Sequence, residues 1–403
     1  MNLLVITYWS YKDALIQTYT LPYLKIIQKY RPKNAYLYLL TLEQPHLLMT
    51  SEEREEIEEY LSEFRIKLIS FVYKPFGLSA ILLWIKIIFK MIFLIFRNRV
   101  EKIHCFCTDA AAAGYILSKL TAKPLIVDSY EPHAEPMLES GTWERSSIAF
   151  RILFAFEKWQ SRHAEIVIAC VDKMKEYALE KYNAKFKRFY SKPACVDFTL
   201  FSEEKIKDES LLRALNLTDK KVLIYAGKFG GSYMREEVFD IIKVAQDYFG
   251  EAFRVLLLGK HLDDDLKRDC AKRGIDYKII LHKFVPHSEV AIYMGLADFA
   301  ITPFIPVPSK RYGSPIKNGE YWAMGLPVII PPNISDDSDI IKKYNLGVIL
   351  EKLEKACYKE TINKIDLILK EGSDARRQRI RKVAKKYRSF KIADEVYKDI
   401  YAV

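Results

Sequence analysis

Short apolar runs alternate with longer segments of helical periodicity along almost the whole chain. The runs are rich in valine, isoleucine and leucine, which is typical of strands buried on both faces of a parallel sheet. Strands are predicted at residues 3–7, 35–40, 67–72, 102–106, 125–128 and 166–169, and then at 221–225, 254–258, 279–281, 299–301, 328–330 and 347–350. Helices are predicted between them, for example at 112–120, 150–163, 236–248 and 262–273. This order predicts an α/β protein with two Rossmann-like, doubly wound domains that face a cleft.

A boundary between two domains is predicted within "SKPACVDFTLFSEEKIKDES", residues 191–210. A proline-containing turn there gives way to a charged stretch of poor periodicity before the next strand. We therefore place an N-terminal domain at 1–198 and a C-terminal domain at 199–385. The basic C-terminal segment, at about 386–403, is predicted to form a helix that packs back on the first domain. A solvated face and a membrane contact are the alternatives for this segment.

The stretch "KRYGSPIKNGEYWAMGLPVIIP", residues 310–331, predicts a loop, a short helix and a buried strand. Ser314 is the expected N-cap, Pro315 the first helical residue, and Gly325 the end of the helix. The N-terminus of a helix presents unpaired N–H groups that suit a phosphate. Glu320 lies close to that end, so a carboxylate is expected beside a candidate anion site.

Charge and cysteine content narrow the classes of partner and compartment. The 403 residues include 63 lysines and arginines against 52 acidic residues, a formal net charge of +11, which favours anionic partners. The six cysteines show no metal-binding or redox spacing and fit reduced thiols in the cytosol. The N-terminal sequence lacks the basic region of a signal peptide and predicts a first strand.

Residues 78–96, "LSAILLWIKIIFKMIFLIF", approach the length that spans a membrane. Lys86, Lys90 and Arg97 fall on one face at about 100° per residue, and Arg99 follows. Two interpretations stay open: a helix that lies in an anionic membrane interface, or a buried crossover helix with its basic stripe in water. A true membrane span is disfavoured by the lysines.

Glycines follow two predicted strands of the second half, where the carboxyl ends of parallel strands would form a ligand site. The strand at 221–225 continues into "AGKFGGSYMREE", which supplies Gly227 for a tight turn and Lys228 and Arg235 for positive charge. Gly259 follows the strand at 254–258. The spacing is not that of a dinucleotide fingerprint, so binding of a nicotinamide dinucleotide is not supported, and an ordinary strand-to-helix turn is the alternative.

The order "AGKFGG", "LLLGK", "FVPHSEVAIYM", "LADFAITPF" and "SPIKNGEYWAMGLPVI" resembles the nucleotide-sugar-binding domain of family 4 glycosyltransferases of the GT-B fold. The resemblance extends upstream through "PACVDFTLF", which is similar to the interdomain linker of that family, and through "DSYEPHAEPM" in the first half. It covers most of the chain, and residues 282–331 are its specific part.

The resemblance implies a donor site in the C-terminal domain. Glu320 matches the glutamate that binds the ribose hydroxyls, and a carboxylate can accept two hydrogen bonds from a diol. The helix start would face the diphosphate, with basic side chains beside it, and a backbone position after the strand at 279–281 would meet the base. The donor-binding residues implied are Gly227, Lys228, Arg235, Gly259, Val285, Gly313, Ser314, Lys317 and Glu320.

The sequence departs from the commoner family pattern at two places. Tyr312, and not a glutamate, stands eight residues before Glu320, so the chain is similar to a Ser-Pro-x-Lys-x-x-Glu subset and its donor sugar stays open. The loop after the first strand, "TYWSYKDA", has no glycine. Its aromatic residues Tyr8, Trp9 and Tyr11 are candidates for an acceptor site, with packing in the core as the alternative.

Catalytic candidates follow the strand at 125–128, in "VDSYEPHAE". Family members place acidic residues or a histidine there, so the resemblance points to Asp128, Glu131 and His133. A carboxylate or an imidazole at this place would orient the acceptor hydroxyl or take its proton. An ordinary loop histidine is the alternative for His133.

The resemblance therefore implies a retaining glycosyltransferase, with transfer of a hexose expected. It would move the sugar of a nucleotide-diphosphate sugar to a lipid-linked or polysaccharide acceptor, without metal or other cofactor. Peripheral attachment to the inner face of the cytoplasmic membrane is expected, and no nucleic-acid-binding module is recognised. A nucleotide-sugar epimerase of the same fold and a non-catalytic, membrane-bound partner of another transferase are the alternatives.

Overall fold

The chain forms two compact units. The computed structural model describes residues 2–75 and 77–402. The first unit runs to Pro193 and resumes at Lys391, and the second comprises Ala194–Phe390. The first crossing between units thus lies a few residues before the predicted boundary at 198/199, and the second lies inside the C-terminal segment.

The first unit is built on a seven-stranded sheet in the order β3-β2-β1-β4-β5-β6-β7, with every neighbouring pair parallel. Its strands are β1 (Asn2–Ile6), β2 (Leu37–Glu43), β3 (Ile66–Val72), β4 (Val100–Phe106), β5 (Leu125–Tyr130), β6 (Ile166–Ala169) and β7 (Arg188–Ser191). Its helices up to the first crossing are α1 (Leu21–Lys29), α2 (Ser51–Glu63), α3 (Leu78–Arg97), α4 (Thr108–Thr121), α5 (Ala134–Glu139), α6 (Ile148–His163) and α7 (Met174–Tyr182).

The second unit is built on a six-stranded parallel sheet in the order β10-β9-β8-β11-β12-β13. Its strands are β8 (Lys221–Ala226), β9 (Phe253–Leu258), β10 (Ile280–Lys283), β11 (Phe299–Ile301), β12 (Val328–Ile330) and β13 (Gly347–Ile349). Its helices are α8 (Glu209–Ala214), α9 (Glu236–Phe249), α10 (Asp263–Arg273), α11 (His287–Gly295), α12 (Ile316–Ala323), α13 (Asp337–Tyr344), α14 (Lys355–Leu369) and α15 (Ser373–Arg388). The last helix, α16 (Phe390–Tyr401), lies almost wholly in the first unit.

Both sheets reverse their strand order next to the first strand of the unit, between β1 and β4 and between β8 and β11. Crossovers between parallel strands are right-handed, so the helices before and after the reversal cover opposite faces of each sheet. Ligands of such sheets bind at the carboxyl ends of the strands beside this reversal. The fold therefore marks one candidate region in each unit.

The predicted fold class, two Rossmann-like α/β domains, is confirmed, and all twelve predicted strands are present. The strand β7 was not predicted. It pairs only with β6 at the edge of the sheet, and Arg188 at its start is exposed, so it lacks the apolar run of a buried strand.

The apolar segment at 78–96 forms α3, but it is not a buried crossover helix. Of its side chains, those of Ile87, Met91 and Ile95 are buried, and most of the others face solvent. Of the described helices, α3 is the one long and apolar enough to cross a membrane by length and composition. Because most side chains of α3 are exposed, the interpretation of this segment as a buried crossover helix is excluded.

Candidate functional site

Two glycine turns meet at the carboxyl edge of the second sheet. A Cβ atom added to Gly259 would lie 2.4 Å from the carbonyl oxygen of Gly227, and one added to Gly227 would lie 2.9 Å from the hydroxyl of Tyr225. Gly230 and Gly231 have φ angles of 83° and 63°, a region that favours glycine. The loops after β8 and β9 therefore approach to backbone contact, which larger residues would prevent.

Hydrogen bonds tie these turns to the elements after β11. The Ala226 N–H donates to the hydroxyl of Tyr321 on α12 at 2.9 Å. The rings of Tyr233 and Phe304 stack with their centroids 4.7 Å apart, and the Met234 N–H donates to Pro303. The glycine turn after β8 and helix α12 are thus held together beside the reversal of the strand order.

Glu320 is buried in α12, and both of its carboxylate oxygens have partners. Lys317 Nζ lies 2.7 Å from Oε2, and His287 Nε2, at the start of α11, lies 3.4 Å from Oε1. Burial raises the pKa of the Glu320 carboxyl, but the ammonium of Lys317 and the imidazole of His287 outweigh it, so the net pKa is lowered. The group is therefore an ionised carboxylate at neutral pH, close to a helix N-terminus.

The prediction that Ser314 caps α12 was wrong. The helix begins at Ile316, and the Ser314 hydroxyl instead accepts hydrogen bonds from the Ala194 N–H, at 3.0 Å, and from the guanidinium of Arg388. Arg388 also pairs with the buried Asp337. Arg388, at the end of α15, therefore binds the Ser314 hydroxyl that the local sequence pattern predicted to cap α12.

The other donor-side candidates differ in their surroundings. Lys228 is exposed in the glycine turn and has no ion-pair partner among the described residues. Arg235, in contrast, forms an ion pair with Asp269 of α10 at 2.6 Å and lies over the ring of Phe229. Val285 follows β10 and is half-buried. The sequence could not show that Arg235 is already paired.

Gly313 and Lys317 complete the donor-side set. Gly313 is half-buried in an extended conformation just before α12. Lys317 lies in the first turn of α12 and points to Glu320. The structure therefore places Gly313, Ser314, Lys317 and Glu320 around the start of one helix.

Asp128 of the first unit lies in β5 with no exposed surface. Lys192 Nζ lies 3.2 Å from one carboxylate oxygen, and His104 and Tyr397 donate to the other at 3.2 and 2.6 Å. Burial raises the pKa of Asp128, but Lys192 and His104 outweigh it and the net pKa is lowered. Such a carboxylate cannot meet an acceptor from inside the sheet, so the predicted catalytic role is corrected to a structural one.

Burial also distinguishes among the three aromatic candidates for the acceptor site. Tyr8 and Trp9 are half-buried after β1, and the ring of Tyr8 stacks on Trp84 of α3 at 6.4 Å. Tyr11 is 4% exposed and packs in the core, where its N–H donates to Glu43. The structure thus leaves Tyr8 and Trp9 as candidates and favours the packing alternative for Tyr11.

Asp109 was not predicted, yet it belongs to the candidate site of the first unit. It opens α4 just after β4, and its Oδ2 lies 3.5 Å from Nε2 of the partly exposed His133. Burial raises the pKa of Asp109, and the imidazole of His133 opposes the shift. Glu131 lies in the loop that also carries His133, and its backbone carbonyl accepts a hydrogen bond from the Thr108 hydroxyl. The rule of searching just after each strand would have found Asp109 if applied to β4.

The loop that carries His133 is fixed by a buried carboxylate. Glu157 of α6 accepts hydrogen bonds from the N–H groups of His133 and Ala134 at 2.7 and 2.9 Å. Burial raises the pKa of Glu157 to about 7, although these bonds oppose the shift. Because its ordinary pKa is about 4.3, the folded state binds more protons than the unfolded chain between those pH values.

The stability of the first unit should therefore fall as the pH rises from about 4.3 to about 7, because Glu157 must lose its proton in the folded state. We expect Glu157→Gln to flatten this part of the stability curve, measured by urea unfolding at pH 5 and pH 8. Glu180→Gln, at an exposed position of α7, is the control and should keep the slope. An unchanged slope in Glu157→Gln would contradict the shift.

The described residues contain no group of three histidine, cysteine, aspartate or glutamate side chains placed to hold a metal ion.

Comparison with known protein families finds a match within the second unit. Residues 207–387 match the family model described as "Glycosyl transferases group 1". No curated protein matches the sequence at a significant level.

Solved structures with similar folds cover the whole chain. HepE from Anabaena in complex with UDP has a TM-score of 0.71 at 14% identity, over 100% of each chain. Sucrose-phosphate synthase from Thermosynechococcus elongatus has a TM-score of 0.73 at 14% identity, over 100% of this chain and 99% of that chain. WaaG, a glycosyltransferase involved in lipopolysaccharide biosynthesis, has a TM-score of 0.71 at 13% identity, over 100% of this chain and 99% of that chain. At such identities the similarity shows the fold.

The chain thus has the GT-B fold, and residues 207–387 of its second unit match the group 1 glycosyltransferase model. This confirms the predicted fold. Membership of family 4 and of its Ser-Pro-x-Lys-x-x-Glu subset stays a prediction.

Proposed function

We propose that the protein transfers a sugar from a nucleotide-diphosphate sugar to a hydroxyl group of an acceptor. The bond between the anomeric carbon and the diphosphate oxygen breaks, and its electron pair leaves with the diphosphate. A bond forms between the anomeric carbon and the acceptor oxygen, whose proton passes to a base. Transfer of a hexose with retention of the anomeric configuration is part of the proposal.

The donor half of the proposal rests on Glu320 within the group 1 glycosyltransferase domain. An ionised, buried carboxylate beside a helix start can accept hydrogen bonds from a ribose diol. Lys228 and Lys317 would offset charge on the diphosphate as it leaves. Because HepE binds UDP and UDP-glucose, a UDP-sugar is the first donor to test.

On the acceptor side we assign His133, held by Asp109, to position the acceptor hydroxyl or take its proton. Tyr8 and Trp9 offer aromatic surface for a sugar ring. Glu131 stays a catalytic candidate. We propose that the donor half needs no metal, because basic side chains and the N-terminus of α12 would face the leaving group.

The acceptor is proposed to be lipid-linked or part of a polysaccharide, with the enzyme on the inner face of the cytoplasmic membrane. An epimerase acting on the nucleotide sugar is the second candidate, because the donor residues would serve both reactions. The protein incubated with UDP-glucose alone would then yield an isomer of the sugar nucleotide, whereas a transferase needs an acceptor.

A panel of nucleotides and nucleotide sugars tests the donor half, because a ligand that binds only the folded state raises the melting temperature. We expect nucleoside diphosphates and their sugars to stabilise the protein more than nucleosides do. If the whole panel leaves the melting temperature unchanged, the proposed function is wrong.

Lys228→Ala should weaken binding of the free nucleoside diphosphate about tenfold, because it removes a point charge meant for a phosphate. Turnover should fall further, since negative charge on the leaving group grows in the transition state. Lys278→Ala is the control, because Lys278 is also exposed but precedes β10 at the opposite edge of the sheet. Equal affinity and turnover in Lys228→Ala and parent would exclude this role.

A further inference from the structure

Helix α3 has an apolar surface on the side that faces away from the protein. This outer face is defined by large side chains that are 48–73% exposed, namely Leu78, Ile81, Leu82, Ile85, Phe89, Phe93 and Phe96. The inner face, formed by Ile87, Met91 and Ile95, is buried. A helix that packs on a domain in water normally has polar residues opposite its buried face. The outer face of α3 therefore suits an apolar partner.

Basic residues line one flank of the outer face. Lys86, Lys90 and Arg97 are exposed on α3, and Arg99 is exposed just after it. The segment 77–99 contains no acidic residue. Two copies of this face placed together would bring like charges near each other with no carboxylate on the helix to pair them. An anionic bilayer, in contrast, satisfies both the apolar face and the basic flank.

The neighbouring helices extend the apolar surface. Helix α4 packs between α3 and α6, and right-handed crossovers place the three helices on one side of the sheet. Exposed apolar side chains recur on these neighbours at Leu120, Ile148, Ile152 and Trp159. The apolar area available for contact with a flat partner is thus larger than the outer face of α3 alone.

Helix α3 also reaches the candidate acceptor site. Trp84 stacks on Tyr8 with the ring planes 12° apart. Tyr8 follows β1 and Asp109 follows β4, and these strands pair with Ile6 opposite Cys105. Tyr8 and the carboxylate that holds His133 therefore lie at the carboxyl ends of adjacent strands. A single helix therefore carries both the outer face and a side chain that supports this site.

We propose that the outer face of α3 lies in the interface of an anionic membrane and that the acceptor is a membrane-embedded amphiphile. Its polar head group would meet Tyr8, Trp84 and the Asp109–His133 pair, while its apolar part stays in the bilayer. This inference rests on the proposed glycosyl transfer and specifies the acceptor that the first unit receives. The inner face keeps α3 attached to the domain, so the helix lies along the membrane.

Vesicle binding tests the membrane part. The full chain should co-sediment with vesicles of phosphatidylglycerol and phosphatidylcholine, bind poorly to pure phosphatidylcholine, and dissociate in high salt. Lys86→Glu with Lys90→Glu should weaken binding at least tenfold. Lys355→Glu with Lys359→Glu is the matched control, because these lysines are also exposed and four residues apart, on α14. Equal loss in both double variants, or no binding by the parent at low salt, would overturn the proposal.

A second variant tests the apolar contact, and oligomeric state tests the rival occupant. Phe89→Ser with Phe93→Ser should lose vesicle binding while its melting temperature stays near that of the parent, because both side chains face solvent. A dimer of the parent in light scattering that these substitutions dissociate would show that a second copy covers the face, and would overturn the proposal.

Transfer of label from radioactive UDP-glucose tests the acceptor class. With vesicles made from a total lipid extract, product should appear in the organic phase and should be lost in Lys86→Glu with Lys90→Glu. Product found only in the aqueous phase would overturn the amphiphile assignment. The nucleotide-dependent rise in melting temperature should persist in every α3 variant, because these variants leave the donor site intact. If the parent itself shows no such rise, the donor half of the proposed function has failed, and not the membrane proposal.

Discussion

Replacing Asp128 by alanine should destabilise the first unit by about 3–5 kcal/mol, the usual cost of breaking a buried ion pair. The ammonium of Lys192 would stay buried, 3.8 Å from the ring centre of Tyr23, after losing its carboxylate partner. His104 and Tyr397 would lose an acceptor as well. We expect a fall of about 10 °C in the melting temperature and faster amide exchange in α16, which carries Tyr397.

A double-mutant cycle separates this structural role from a catalytic one. Removing the orphaned charge together with the carboxylate, in Asp128→Ala with Lys192→Met, should recover part of the stability that Asp128→Ala alone loses. Lys192→Met alone should also destabilise the unit, because it leaves the carboxylate unpaired. If Asp128→Ala keeps the stability of the parent and loses only turnover, Asp128 acts on the acceptor after all.

Asp128 also shows what a linear pattern leaves out. The sequence placed it at the end of a strand, where catalytic residues of such sheets are found, and that placement is correct within two residues, since β5 ends at Tyr130. The pattern could not show that Lys192 and the C-terminal helix cover it. Those partners lie far away in sequence, so burial of a polar strand residue depends on tertiary contacts.

The fold was easier to predict from the sequence than the site, because the strands are buried on both faces and therefore appear as continuous apolar runs. The same property made α3 ambiguous, since an apolar run is expected both for a core helix and for an interfacial one. Only the packing of its neighbours shows that Phe89 and Phe93 face solvent. Ser314 is a related case, in which Arg388 outcompetes a local capping bond.

Replacing Glu320 by glutamine should weaken binding of a ribonucleotide donor by roughly 10- to 150-fold, the equivalent of about 1.5–3 kcal/mol for a hydrogen bond to a charged group. The fold should survive, because the glutamine carbonyl can still accept a hydrogen bond from Lys317, and its amide N–H can donate to His287 Nε2 when that imidazole carries its proton on Nδ1. Lys317 is also partly exposed. Glu289→Gln is the control, since Glu289 is an exposed carboxylate on α11. Calorimetric titration with UDP measures the change.

Removing the diol from the ligand sharpens the test of Glu320. The parent should bind 2′,3′-dideoxy-UDP more weakly than UDP, and Glu320→Gln should add little further loss with the dideoxy compound, because the same hydrogen bonds are already gone. A carboxylate that acted only by holding Lys317 near the phosphates would behave differently, since its removal would weaken both ligands by the same factor. Equal losses of affinity for UDP and its dideoxy form in Glu320→Gln would therefore rule out ribose binding. They would show instead that Glu320 acts by holding Lys317. Losses confined to UDP would place the donor ribose against α12, with the diphosphate at the N-terminus of that helix.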